Sequence, residues 1–333
     1  MTRMTDLNTA APQDTRQYTL SHIESRFTQA GDPYKQLTLD DAKGRIKAYV
    51  WERTGLLEQL PHQYPVAVQV QLCERELNHR KIADVLRIHT LDHNEVQNAA
   101  MLLAQHDCPA AAQEALLALV HWVEELGALE GTCQTPLRRF MNRVLLDAQI
   151  AHNLTTCKSS MKSHHNVPGG HLMHSMDVLQ IVTQLAKDRL SPLELAITQM
   201  GAFFHDLGKL RVVGSTQTRP EHYKLGSHEQ HTLRLLEPHL AWLKPRAPEV
   251  AAGLSYILEY LSKPASDRSH ALFIAADMVA AADRMSAGFN NGRRLEDLLA
   301  KTLPAYSSQP TSSSFKRNQG LQQKGFGKTA VGF

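Results

Sequence analysis

The chain predicts a multidomain α and β protein, in which a small N-terminal β-barrel precedes an all-α domain. Three observations predict it. Between residues 17 and 92 short apolar runs alternate with polar residues at a period of two, and turn residues separate them, as in half-buried strands. From residue 93 the apolar residues recur at helical spacing instead. The histidines are also concentrated: eight of the 18 (164, 165, 171, 174, 205, 222, 228 and 231) fall within a fifth of the chain. The resulting organisation is a disordered lead-in over 1–16, a barrel over 17–92, a helical connector over 93–135, a helical domain over 136–305 and a disordered tail over 306–333.

Bulk properties narrow the class. The 333 residues suffice for two ordinary domains, and 42 % hydrophobic with 21 % charged content is normal for a globular protein. A net charge of +3 does not by itself mark a nucleic-acid binder. The four cysteines at 73, 108, 133 and 157 form no C-x-x-C pair, which indicates neither a zinc knuckle nor a disulfide framework. Met1 to Gln17 is polar and lacks the apolar centre of a signal peptide. No apolar run approaches the roughly 20 residues that cross a bilayer. The expectation is a cytoplasmic protein with no membrane partner.

The strands come first. Tyr34–Leu39 leads into Asp40-Asp41-Ala42-Lys43-Gly44, a hairpin turn signal. Arg45–Trp51 then alternates, with Ile46, Ala48 and Val50 on one face and Arg45, Lys47, Tyr49 and Trp51 on the other. Val66–Leu72 alternates too, and Lys81–Thr90 completes a fifth strand after the run that starts at Tyr18. Five short strands in about 75 residues suit a small closed barrel, of which the OB-fold is the common nucleic-acid-binding version. Cations interleaved with aromatics along Arg45–Trp51 make a stacking platform for single-stranded bases. The alternative is that Tyr49 and Trp51 cover the barrel end or pack on the next domain.

Helices follow. His93–Gly127 reads as a helical connector, Leu126–Pro136 as a hinge, and Pro136–Leu154 as an amphipathic helix. A polar segment delivers His164 and His165, and Pro168-Gly169-Gly170 makes a tight turn. On the next helix His174 shares a face with Val178, Ile181 and Leu185, so it points inward, either as a ligand or as a hydrogen-bonded core histidine. Ser191 and Pro192 start the helix that ends at His205-Asp206, with Gly208 at the usual place of a helix stop. A His and an Asp at a helix end can turn to one centre and ligate a divalent metal. Asp277 lies within Phe273–Ala282, and a carboxylate among small apolar residues is costly to bury without a cation. Asp283 competes with it, but the two lie on different faces of one helix, and the more apolar surroundings favour Asp277. Beyond Ser307 the chain is rich in Ser, Gln and Gly. With no acid after Asp297, Lys301, Lys316, Arg317, Lys324 and Lys328 make it basic, as a loose phosphate-holding tail or a solvated terminus.

His174, His205-Asp206 with Gly208-Lys209, and Asp277 in an Ala-rich helix resemble the signature of the HD-domain metal-dependent phosphohydrolases. The stretch His164-His165-Asn166-Val167-Pro168-Gly169-Gly170-His171-Leu172-Met173-His174 is similar to that of the YhaM-type 3′-to-5′ exoribonucleases, and a related pattern occurs in HD domains of conjugative relaxases. The resemblance covers about residues 136 to 290. It implies an OB-fold ahead of the HD domain, Lys209 near the substrate phosphate and His228 as a further metal ligand; in the site so assembled, His165 is expected beside the phosphate and His164 on the nucleic acid. The family also often forms oligomers. One departure stands out: Leu254–Leu261 contains no histidine where the family has His-His-Gly, which puts a second metal in doubt.

A site of His174, His205, Asp206 and Asp277, with His228 added, suits Mn²⁺ first, with Co²⁺, Fe²⁺, Zn²⁺ or Mg²⁺ as alternatives. The expected function is hydrolysis of phosphodiesters in single-stranded RNA or DNA, as a 3′-to-5′ exoribonuclease, with Asp206, Lys209 and His165 as catalytic groups. The alternatives are a DNA-processing HD protein of the relaxase type, or a nucleic-acid-binding protein whose HD site has decayed.

Overall fold

The computed structural model describes residues 14–62, 64–77, 80–92, 94–128, 134–162, 165–216, 220 and 224–291. Five strands, β1 (Asp14–Phe27), β2 (Pro33–Asp41), β3 (Gly44–Trp51), β4 (Val66–Leu77) and β5 (Arg80–Thr90), close into a barrel in the order β1-β2-β3-β5-β4. All neighbours are antiparallel except β3 and β5, which run parallel. This is an OB-like barrel. The alternation read along β3 holds: Ala48 and Val50 are buried in the barrel with Leu20, Leu37, Leu39, Val68 and Val70, while Arg45 and Lys47 face out. β1 already runs at Asp14, inside the stretch expected to be disordered, because Asp14 to Leu20 pair with Leu72 to Val66 of β4.

The connector is not one helix. Short 3₁₀ turns at Ala99–Leu102, Gln105–Asp107 and Ala110–Ala112 precede α1 (Gln113–Ala128). Pro109 gives the reason: the residue before a proline is pushed out of the helical region, and Cys108 is extended with ψ 122°. Of the expected hinge over 126–136, residues 126–128 end α1 and 134–136 open the next helix, and 129–133 lie outside the described residues.

Eight further helices follow: α2 (Gln134–Leu145), α3 (Ala151–Thr156), α4 (Gly170–Ala186), α5 (Pro192–Phe204), α6 (Lys209–Val212), α7 (His228–Leu243), α8 (Pro248–Ser262) and α9 (Ala275–Asn290). α5 starts with the capping box Ser191/Glu194 and Pro192 in its first turn, as its sequence demands. α9 begins only at Ala275, inside the apolar run Phe273–Ala282, which places Asp277 in its first turn.

Barrel and helices share apolar interior. Ala42 and Leu91 of the barrel region belong to the same buried cluster as Leu116, Phe140 and Phe204. The Thr19 hydroxyl donates to the Leu102 carbonyl at 2.8 Å, and the Ala42 amide donates to the Met101 carbonyl at 2.8 Å. Asn142, fully buried on α2, accepts from the Ala99 amide at 2.9 Å and donates to the Val96 carbonyl at 2.6 Å, so it staples the connector to α2.

Candidate metal centre

α4, α5 and α9 converge on one point. His174 projects from α4, His205 and Asp206 from the turn after α5, and Asp283 from α9; one donor atom from each lies within 4.8 Å of all the others. The His174 Nε2 is 3.3 Å from both Asp206 Oδ2 and Asp283 Oδ1. His205 Nε2 is 3.2 Å from Asp206 Oδ2 and 3.6 Å from Asp283 Oδ1. The His205 Nδ1 lies 2.7 Å from the Ala202 carbonyl, which can only accept, so Nδ1 carries a proton and Nε2 faces the acids. His174 Nδ1 lies 3.3 Å from Ser286 Oγ, which likewise turns its Nε2 inward.

Asp277 does not join this centre, contrary to expectation. Its carboxylate accepts from the Tyr260 hydroxyl at 2.5 Å and from the Ala271 amide at 3.1 Å. Those bonds, and its half-buried place in the first turn, meet the cost that a cation was expected to meet. At about 100° per residue, six residues carry Asp277 to another side of α9. Asp283, Ser286 and Asn290, at i, i+3 and i+7, share the face toward α4: Ser286 meets His174, and Asn290 donates to Asp177 at 3.3 Å.

The donor set of two imidazoles and two carboxylates fits a divalent ion. Electrostatics agree. Burial opposes a charge on His205, but Asp206 and Asp283 override it and push its pKa up to about 10. Burial likewise raises Asp206 and Asp283; His205 and Lys209 outweigh it at Asp206, and hydrogen bonds from His174 and His205 outweigh it at Asp283, so both stay below the ordinary carboxylate range. A buried Asp206 and a partly exposed Asp283, both held ionised at one point, call for a cation, and a proton on His205 takes that part where no metal does.

Around the centre, Lys209 Nζ ion-pairs with Asp206 and lies 3.5 Å from Ser159 Oγ. His228 Nε2 lies 3.0 Å from Asp206 Oδ1 and 3.3 Å from Glu229 Oε1, outside the four-residue group and a third exposed. Its position depends on Gly208. That residue has an ordinary helical φ of −63°, so it is not the left-handed stop expected there. What requires glycine is close approach: a Cβ at 208 would stand 1.9 Å from the His228 carbonyl oxygen. His165, at φ +53°, sets its Nε2 3.0 Å from Asp177 Oδ2, and its ring centroid lies 5.8 Å from that of His174. Burial raises Asp177, but the His165 hydrogen bond holds it below its ordinary value. His164 lies outside the described residues, as do His222 and the basic tail.

On the barrel, Tyr49 and Trp51 stack with centroids 6.2 Å apart, and Tyr34 of β2 joins them at 6.0 and 5.0 Å. The Arg75 guanidinium sits 5.6 Å over the Trp51 ring. Trp51 also donates its Nε1 hydrogen to Asp84 Oδ1 at 2.8 Å, and Arg75 pairs with the same carboxylate. Arg45 is engaged by the buried Asp40 at 2.7 Å, and Lys47 is exposed. Tyr34, Arg75 and Asp84 did not stand out in the sequence. Tyr34 follows from register alone, since counting back from the Asp41–Gly44 turn pairs it with Trp51.

A search of curated proteins found no match to the chain. Residues 172–288, which contain all four residues of the centre, match the family model described as HD domain. Behind its five-stranded barrel, this chain carries an HD domain.

Proposed function

We propose that this protein is a metal-dependent phosphodiester hydrolase acting on single-stranded nucleic acid, as a 3′-to-5′ exoribonuclease. The observation that carries the hydrolytic reading is the convergence of His174, His205, Asp206 and Asp283 inside the HD match. The nucleic-acid reading is supported by the outer face of β3, where Tyr34, Tyr49 and Trp51 lie side by side with Arg75 above and Lys47 beside them.

His174, His205, Asp206 and Asp283 would hold a divalent ion, Mn²⁺ first among the candidates. Such an ion supplies a Lewis acid for a phosphoryl oxygen and a water of lowered pKa. The protein's own groups do the rest. Lys209 and His228, both against Asp206, border the space in front of the centre and neutralise charge that develops on the phosphate. His165, oriented by Asp177, stands on the His174 side and binds the same phosphate. The barrel face holds the polymer, and only its 3′ end enters the centre.

The test uses the purified full chain, stripped of metal and reloaded with Mn²⁺, on single-stranded RNA labelled at the 5′ end. The expected result is a ladder that shortens from the 3′ end, requires metal and disappears in Asp206→Ala. Cleavage of DNA alone, or at one internal position, replaces this reading with a DNA-processing one. Binding without hydrolysis, unchanged in Asp206→Ala, rejects catalysis.

A further inference from the structure

His171 is fully buried, and neither of its ring nitrogens has a hydrogen-bond partner among the described residues. An imidazole in that position loses its bonds to water and gains none, so it lowers the stability of the fold. A leucine would fill the space without that cost, so the residue at 171 is not explained by packing.

Its surroundings are those of the metal centre. His171 precedes His174 by three residues on α4, which puts both on one face. Its backbone amide donates to the Cys157 carbonyl at 3.0 Å, and Cys157 Sγ in turn lies 3.6 Å from the Lys209 carbonyl. Two residues on, Ser159 Oγ meets Lys209 Nζ. His171 thus shares a helix face with His174, and its backbone is tied to the segment that packs on Lys209. The charges acting on it are those of Asp206, Lys209, His174 and His205. Burial pushes its pKa down to about 3, so it stays a neutral imidazole, with one N–H to donate and one lone pair to accept.

We propose that His171 is a positioning residue, whose ring hydrogen-bonds the water that attacks phosphorus at this centre. It takes no proton from that water; it fixes where the oxygen sits and which lone pair faces the phosphorus. The inference rests on the hydrolytic reading of the site. It explains why a polar ring is kept at a place where it costs stability.

The test compares the full chain with His171→Leu and His171→Gln. In the metal-free protein His171→Leu is expected to melt at the same temperature or higher. Its Mn²⁺ dissociation constant, by calorimetry, stays within about twofold of the parent. With Mn²⁺ and bis(p-nitrophenyl) phosphate its kcat falls about 100-fold while KM holds, the effect of a misplaced reactant. His171→Gln, which keeps a donor and an acceptor, recovers about tenfold of that loss. Water-proton relaxation by the bound Mn²⁺ also changes in His171→Leu, independently of any turnover. Three results overturn the proposal: an unchanged kcat and relaxation, a melting temperature that drops with activity, or metal affinity lost in step with kcat. A parent protein that binds Mn²⁺ but cleaves no phosphodiester refutes the hydrolytic reading instead, and the relaxation comparison then decides the role of His171.

Discussion

At the scale of single residues the centre rests on which aspartate of α9 reaches it. Asp283→Asn should weaken Mn²⁺ binding by at least tenfold and abolish hydrolysis, because it removes a charged donor 3.3 Å from His174. Asp277→Asn should leave metal content unchanged and cost about 1 kcal/mol of stability through its bond with Tyr260, read in a urea titration. Metal binding should also depend on pH with a defined sign. His205 holds its proton up to about pH 10 in the metal-free protein. A metal must displace that proton, so apparent affinity should rise up to tenfold per pH unit between about pH 7 and 9, and binding should release protons into the buffer. Calorimetry in buffers of different ionisation enthalpy measures both. That His174, His205 and Asp206 meet could be read from the sequence because His-Asp at a helix end, and a His on an inward face, are local patterns. The fourth could not. Its choice depends on where α9 starts, and the apolar neighbours of Asp277 concealed the hydroxyl and amide that stabilise it.

At the scale of elements the β2–β3 hairpin carries the proposed contact with the polymer. Trp51→Ala should weaken binding of single-stranded RNA by about 1–3 kcal/mol, read by fluorescence anisotropy, while turnover of a small phosphodiester is unchanged. Trp51→Phe keeps a stacking ring and gives up only the bond to Asp84, so it should bind nearly as the parent does. Loss of affinity in both variants alike would make the Asp84 bond, and not stacking, the function of Trp51. The barrel was readable because period-two alternation and an Asp-rich turn fix strand, face and register together. The connector was not, because apolar residues at helical spacing occur equally in the 3₁₀ turns on either side of Pro109. Gly208 shows the same limit from another side. Its identity is set by the approach of α7 from 20 residues further along the chain, which no local rule contains.

At the scale of the whole described unit, barrel and helices share one interior, since Ala42 and Leu91 enter the helical cluster and Asn142 ties the connector to α2, and they should unfold together. Asn142→Leu strands the Ala99 amide and the Val96 carbonyl in a dry interior. It should cost about 2–4 kcal/mol, twice the lower and nearer twice the middle of the penalty for one orphaned group. Heat denaturation followed by Trp51 fluorescence, with Trp122 and Trp242 of the helices replaced by phenylalanine, and by helical circular dichroism should then shift to lower temperature together, as one transition. The common interior has a mechanical corollary. Under the proposed function, a platform and a blade that cannot slide past each other would act as a ruler: a strand long enough to span both would be gripped while it is trimmed, and a shorter one released. Digestion of homopolymers should therefore stall at one residual length, the same for every starting length, and visible as a single terminal band on a sequencing gel.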